Sequence, residues 1–170
     1  MPILRSLIVA LLLSLTACAS SPTGDAGASF VVVRHAEKTV DGTRDPPLSA
    51  AGVARAQRLA RSLRGHDLRA TYATQWRRTR QTAAPAATLH GLDTLAYDAE
   101  TPAADFAARL RRAHSGGTVL VVGHSNTVPG IAAALCGCAV APMEETEYER
   151  RMTVRIAADG TARLTIDRDP

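Results

Sequence analysis

The sequence predicts an α/β fold of three layers, with helices on both sides of a mostly parallel central sheet. Three observations point there. Phe30-Val31-Val32-Val33 and Thr118-Val119-Leu120-Val121-Val122 are unbroken apolar runs, the pattern of strands covered on both faces. The segments between them carry apolar residues at helical spacing, and strands that alternate with helices build parallel sheets. Both runs end on a histidine, at Arg34-His35 and Gly123-His124, and open α/β sheets bind ligands beyond the carboxyl ends of their strands.

The first strand, Phe30 to Val33, leads into a loop from Ala36 to Pro47 marked by Gly42, Asp45 and two prolines. Ser49 is placed to cap a helix that turns Val53, Ala56, Leu59, Ala60 and Leu63 inward and Arg55, Arg58 and Arg61 outward. Ala70 to Thr74 is the second strand. Gln75 to Leu89 reads as a helix in which Pro85 predicts a kink or break, stopped at Gly91. Thr94 to Tyr97 is a weak strand. Pro102 to His114 forms a helix with Phe106, Ala107 and Leu110 inward, ended by Gly116-Gly117. After the Thr118–Val122 strand, Asn126 to Leu135 is helical, and Pro129 fits its first turn. Met152 to Ile156 and Ala162 to Ile166 flank Asp159-Gly160, a hairpin signal that adds antiparallel strands at a sheet edge.

The chain has 170 residues, 46% of them apolar and 4% aromatic. One domain filled by Val, Leu, Ile and Ala is expected. The net charge of +4 is carried by scattered Arg, with Lys38 the single Lys. That suits an anionic substrate and lacks the clustered basic stripe of a nucleic-acid binder.

Residues 1–17 read as a targeting segment. Arg5 precedes Leu7 to Leu13, an apolar run too short to span a bilayer. Leu15-Thr16-Ala17-Cys18 resembles a bacterial lipobox, in which cleavage before the Cys is coupled to lipidation of its thiol. The expectation is a lipoprotein signal peptide over 1–17, a flexible tether over 18–29 with Pro22, Gly24 and Gly27, and a folded domain over 30–170. Acyl chains on Cys18 would tether the protein to the periplasmic side of a bacterial membrane. Ala19, rather than Asp, leans towards the outer membrane. The plainer alternative is an ordinary signal peptide or anchor with a chance Cys. Cys136-Gly137-Cys138 lacks further ligands at metal-site spacing, which leaves two thiols or a local disulfide rather than a catalytic pair.

Four segments then carry a family resemblance. They are Val33-Arg34-His35-Ala36-Glu37, Leu48-Ser49-Ala50-Ala51-Gly52, Tyr72 to Ala83 and Val121-Val122-Gly123-His124-Ser125-Asn126. They resemble, in order, the Arg-His-Gly signature, the helix start, the Ser-x-x-x-Arg-x-x-Gln-Thr-Ala segment and the second His motif of the histidine phosphatase superfamily, also called phosphoglycerate mutase-like. Ala36 stands where the family usually has Gly.

The resemblance implies a metal-independent phosphatase without a cofactor, acting on a phosphorylated small molecule or phosphoprotein. His35 would be the nucleophile that forms a phosphohistidine. Arg34, Arg78 and His124 would surround the phosphoryl oxygens, with Ser125 also against substrate. Arg suits the task because its planar fork makes paired, charge-assisted bonds to an oxyanion. Among Arg77, Arg78 and Arg80, counting back from Gln81-Thr82 selects Arg78. For the general acid Glu100 is preferred over Asp98; both could instead simply precede a helix and complement its dipole. Glu37 and Lys38 lie beside the nucleophile, either shaping substrate choice or as solvated charges.

Three rivals are weaker. A serine α/β-hydrolase is suggested by Gly123-His124-Ser125-Asn126-Thr127, but Thr127 replaces the Gly of that elbow and no His follows Ser125. A non-catalytic anion- or protein-binding lipoprotein could share the fold. A mutase would need a larger cap than this chain offers.

Overall fold

The structure, a computed structural model, describes residues 27–168. Cys18, the targeting segment and most of the tether lie outside the described residues. The elements run β1 (Ala28–Arg34), α1 (Ala50–Ser62), β2 (Leu68–Ala73), α2 (Arg77–Leu89), β3 (Thr94–Ala96), α3 (Ala103–Ala113), β4 (Gly117–Gly123), α4 (Val128–Cys136), β5 (Arg150–Ile156) and β6 (Ala162–Arg168).

One six-stranded sheet has the order β3-β2-β4-β1-β5-β6. Its first four strands are parallel, and the β5–β6 hairpin adds the antiparallel edge. Side chains alternate faces along a strand, and the two central strands use both faces. Phe30, Val32, Val119 and Val121 pack with Phe106, Leu110, Val128, Ile131 and Leu135 of α3 and α4. Val31, Val33, Leu120 and Val122 pack with Leu59, Ala60, Leu63, Ala83 and Ala86 on the other side, from α1, its C-cap and α2. This is the three-layer α/β/α arrangement. It explains why those runs show no polar alternation.

Three expectations are corrected. Ala28 and Ser29, read as tether, belong to β1, where they pair with Gly117 and Thr118 of β4 and with Ile156 and Arg155 of β5. Ladder partners on both sides outweigh the weak strand preference of small residues. Val53 is not inward but 45% exposed. The inward position is taken by Gly52, where a Cβ would lie 2.1 Å from the Glu37 carbonyl oxygen, so α1 approaches the loop after β1 on its smallest residue. Pro85 does not break α2, which continues to Leu89. Ala83, Ala86 and Ala87 are buried around it, and packing of that face sustains the helix. Ser49 caps α1 as expected, its Oγ accepting from the Gly52 amide. Cys136 and Cys138 form a disulfide across Gly137, the left-handed residue that ends α4.

Candidate active site

The register of two parallel strands brings the two histidines together. Arg34 pairs with Gly123, and the His35 amide donates to the Gly123 carbonyl at 2.9 Å. Each His therefore lies one residue past the last paired position, and the two rings are 5.4 Å apart, edge to face. The strand end admits only glycine at 123. A Cβ there would lie 2.5 Å from Tyr97 Oη and 2.8 Å from Val128 Cγ1.

His35 is 3% exposed. Its Nδ1 lies 2.8 Å from the Ala36 carbonyl. A carbonyl can only accept, so Nδ1 carries the proton and Nε2 keeps its lone pair. Arg78 Nε donates to that Nε2 at 3.3 Å. Burial pulls the His35 pKa down to about 3; the Ala36 bond opposes this, and the Arg34, His124 and Arg78 charges add to it. The imidazole is neutral at neutral pH, the state a nucleophile needs. Ala36 is itself held: its amide donates to Thr82 Oγ1 at 3.0 Å, and Thr82 donates to the Arg78 carbonyl at 2.7 Å. Its methyl packs with Leu48 and Ala56, which accommodates Ala where the resemblance leads one to expect Gly.

Arg78 stands in the first turn of α2. Its NH1 is 3.8 Å from Asp45 Oδ1, and its guanidinium lies 5.0 Å from the centre of the Trp76 ring. Asp45 also accepts from the Arg77 amide at 2.8 Å, so a loop carboxylate caps the helix that presents Arg78. Arg77 and Arg80 are exposed.

His124 Nε2 is 3.0 Å from Thr74 Oγ1, which is 2.9 Å from Thr79 Oγ1. Thr79 gives its proton to a backbone carbonyl, with Trp76 at 2.7 Å. Each hydroxyl has one proton, so Thr74 donates to Thr79 and accepts from His124 Nε2. Burial, then Arg78 and Arg34, pull the His124 pKa down to about 4 against the opposing pull of Glu145.

His35, Arg34, Arg78, His124, Ser125 and Glu100 all line one cavity of about 410 Å³, together with Lys38 and Trp76. Asp98 does not line it; its Oδ1 accepts from the Glu100 amide at 3.0 Å. Glu37 turns away, gripped by Arg55 Nε and NH2 at 2.7 to 3.1 Å. It is neither a free charge nor a cavity wall, and the Arg55 contact holds its carboxyl below the usual range. Among the described residues no group of three or more His, Cys, Asp or Glu could hold a metal ion.

The sequence reading missed Glu145. Arg34 is almost wholly buried, and its NH1 donates to the carbonyls of Glu144, Glu145 and Glu147 at 2.6 to 3.2 Å. Its NH2 pairs with Glu145 Oε2 at 3.0 Å, and Tyr148 stacks under it at 4.2 Å. Only Nε is buried without a partner. Ser125 donates its hydroxyl proton to Glu145 Oε1, not to a histidine, which removes the arrangement a serine hydrolase needs. Nothing in the spacing of Glu144-Glu145-Thr146-Glu147 signals this; the loop reaches the site only because β5 lies beside β1. Thr74 and Thr82 lie within the Tyr72–Ala83 segment, where the Arg78–Thr82 spacing of one turn is the available clue.

A model of the histidine phosphatase superfamily (branch 1) matches residues 30–100, from β1 to Glu100. No curated protein matches the sequence. Solved structures do. The protein histidine phosphatase SixA, solved with tungstate, is 19% identical with a TM-score of 0.67, over 83% of this chain and 97% of that one. A mycobacterial glucosyl-3-phosphoglycerate phosphatase is 18% identical with a TM-score of 0.63, over 84% and 99%. A phosphoserine phosphatase from Entamoeba histolytica is 14% identical with a TM-score of 0.61, over 84% and 97%. At these identities the likeness is one of fold.

Proposed function

We propose that the chain is a histidine phosphatase working through a phosphohistidine on His35, a reading supported by the family model that matches residues 30–100. One observation carries the reading: a buried, neutral imidazole whose Nδ1 is tied to the Ala36 carbonyl and whose Nε2 faces a cavity walled by Arg34, Arg78 and His124.

Nε2 attacks phosphorus as the bond to the leaving oxygen breaks, and Glu100 supplies that oxygen with a proton. Water then attacks phosphorus, the N–P bond breaks, and the Glu100 carboxylate takes the water proton. Arg78 and the free Nε of Arg34 meet the equatorial oxygens, where charge is spread during transfer. His124 lines the same cavity with its Nε2–H given to Thr74, so it donates to a phosphoryl oxygen through Nδ1 only once it takes up a proton. The positive side chains take the place a metal clamp has elsewhere, so the scheme needs no added cation.

The substrates are phosphomonoesters of small molecules or phosphorylated proteins. The lipobox motif supports a location on the periplasmic side of a membrane, anchored through Cys18. Labelling with a radioactive fatty acid, lost in Cys18→Ala, tests that placement.

The decisive experiment for the chemistry is hydrolysis of p-nitrophenyl phosphate by wild-type protein and His35→Ala, with EDTA present. Turnover by the wild type, lost in the variant, supports the mechanism. A trapped phosphoenzyme stable in base and labile in acid supports phosphohistidine. Near wild-type turnover by His35→Ala would sink it. No turnover on any phosphate compound would favour the non-catalytic binder.

A further inference from the structure

Beside the cavity above His35 lies a second hollow of about 320 Å³, whose walls include Pro129, Val140, Pro142 and Met143. The two share Ser125, Asn126 and Glu145. A substrate with its phosphoryl group at His35 and its remainder in the second hollow must therefore run past the Glu145 carboxylate. That carboxylate is charged. The Ser125 bond first, then Arg34, hold its pKa below the usual carboxylate range. It is also held in place by Ser125 and by Arg34 NH2, on a main chain that Arg34 NH1 grips at 144, 145 and 147. Its side chain is 80% exposed, so it faces whatever enters.

We infer that Glu145 is a specificity-determining residue that turns the site away from phosphate compounds with an anionic leaving group and towards those whose leaving group is largely apolar, and neutral or cationic beside the ester. The inference rests on the phosphatase reading and names its substrate class. The phosphoryl group itself is served by Arg34 and Arg78. Beyond it, on the side of the second hollow, the charge reverses sign. The hollow's Pro, Val and Met walls offer an anion no partner, whereas they bury a carbon skeleton favourably. A carboxylate or second phosphate held about 6 Å from Glu145 would meet a repulsion that costs about three- to tenfold in binding at water-like screening.

The test compares wild-type chain, Glu145→Gln and Glu145→Lys on phenyl phosphate, 3-phosphoglycerate and phosphocholine. Each variant is compared with wild type on the same substrate, so intrinsic leaving-group reactivity cancels. The Gln amide oxygen can still accept from Ser125, which preserves the local bond. Glu145→Gln is expected to raise kcat/KM for 3-phosphoglycerate about three- to tenfold relative to phenyl phosphate, and to lower it for phosphocholine by a similar factor. Glu145→Lys should widen both changes, and added salt should shrink them. An equal change on all three substrates, or none, would overturn the inference while leaving phenyl phosphate turnover to uphold the phosphatase. Absence of turnover and of a trapped phosphoenzyme in the wild type would overturn both.

Discussion

The amide of His35 donates to the carbonyl of Gly123, and this one bond joins the two strand ends that carry the site. It makes Gly123 a lever on both histidines. Gly123→Ala puts a methyl against Tyr97 Oη and Val128. Tyr97 cannot readily move, since it is buried, stacked on Phe106 at 4.2 Å, and donates to the Val122 carbonyl. The expected cost is about 1–3 kcal/mol of overpacking, read as a lower urea midpoint. Activity should fall further than the loss of folded protein explains, because the strand end shifts under both rings.

Thr82 is the positioning residue behind His35, the proposed nucleophile. Thr82→Val keeps its shape but leaves the buried Ala36 amide without an acceptor, at about 1–3 kcal/mol. The residue whose carbonyl fixes the His35 tautomer then loses the bond that anchors its amide. The expected kinetic signature is a fall in kcat of about tenfold, or 1.4 kcal/mol, with KM little changed. Thr82→Ser should restore most of it. Equal loss in Val and Ser variants would show that the hydroxyl is not what matters.

Arg78→Lys tests geometry against charge. Lysine keeps the charge but loses the planar fork and the Nε contact to His35 Nε2. Removing one well-placed donor to a transition-state oxyanion costs about 10²–10³ in kcat, and the Lys variant should lose most of that. Arg77→Lys and Arg80→Lys, on exposed positions, should change kcat little.

Burial of two neutral histidines makes the fold acid-sensitive. The folded pKa values, about 3 for His35 and about 4 for His124, lie below the ordinary 6.5. Between those values and 6.5 the unfolded chain binds more protons, so stability rises with pH. The contribution is complete above 6.5 and is lost as pH falls towards the folded values, at up to about 1.4 kcal/mol per pH unit for each group. The thermal midpoint should drop between pH 7 and pH 5, and drop less in His35→Gln. An equal drop in the variant would place the sensitivity elsewhere.

The same low pKa has a kinetic consequence. His35 stays neutral well below pH 6.5, so kcat/KM for p-nitrophenyl phosphate should show no acid limb near 6.5 from the nucleophile. Activity at pH 5 should therefore survive in protein that remains folded. A limb at 6.5 absent from the pH dependence of folding would mean that His35 titrates normally in the free enzyme.

By itself the sequence determined the layers, and it named the residues that come together in the candidate site. Runs such as Val31–Val33 and Val119–Val122 are apolar without alternation because both faces of those strands are covered, and that signal is local. So is the motif order that joins His35, Arg78 and His124. The tertiary structure alone decided what surrounds them. Pairing of β1 with β5 brings the 144–148 loop against Arg34, a contact across more than a hundred residues that no local pattern encodes. Val53 faces outward, and Gly52 inward, because a distant backbone, that of Glu37, sits too close for a side chain. Likewise the His35 proton is set by the Ala36 carbonyl, and the Ala36 amide is anchored by Thr82 on another element. Periodicity reports which face is buried; it cannot report which partner does the burying, because that depends on how the sheet orders its strands.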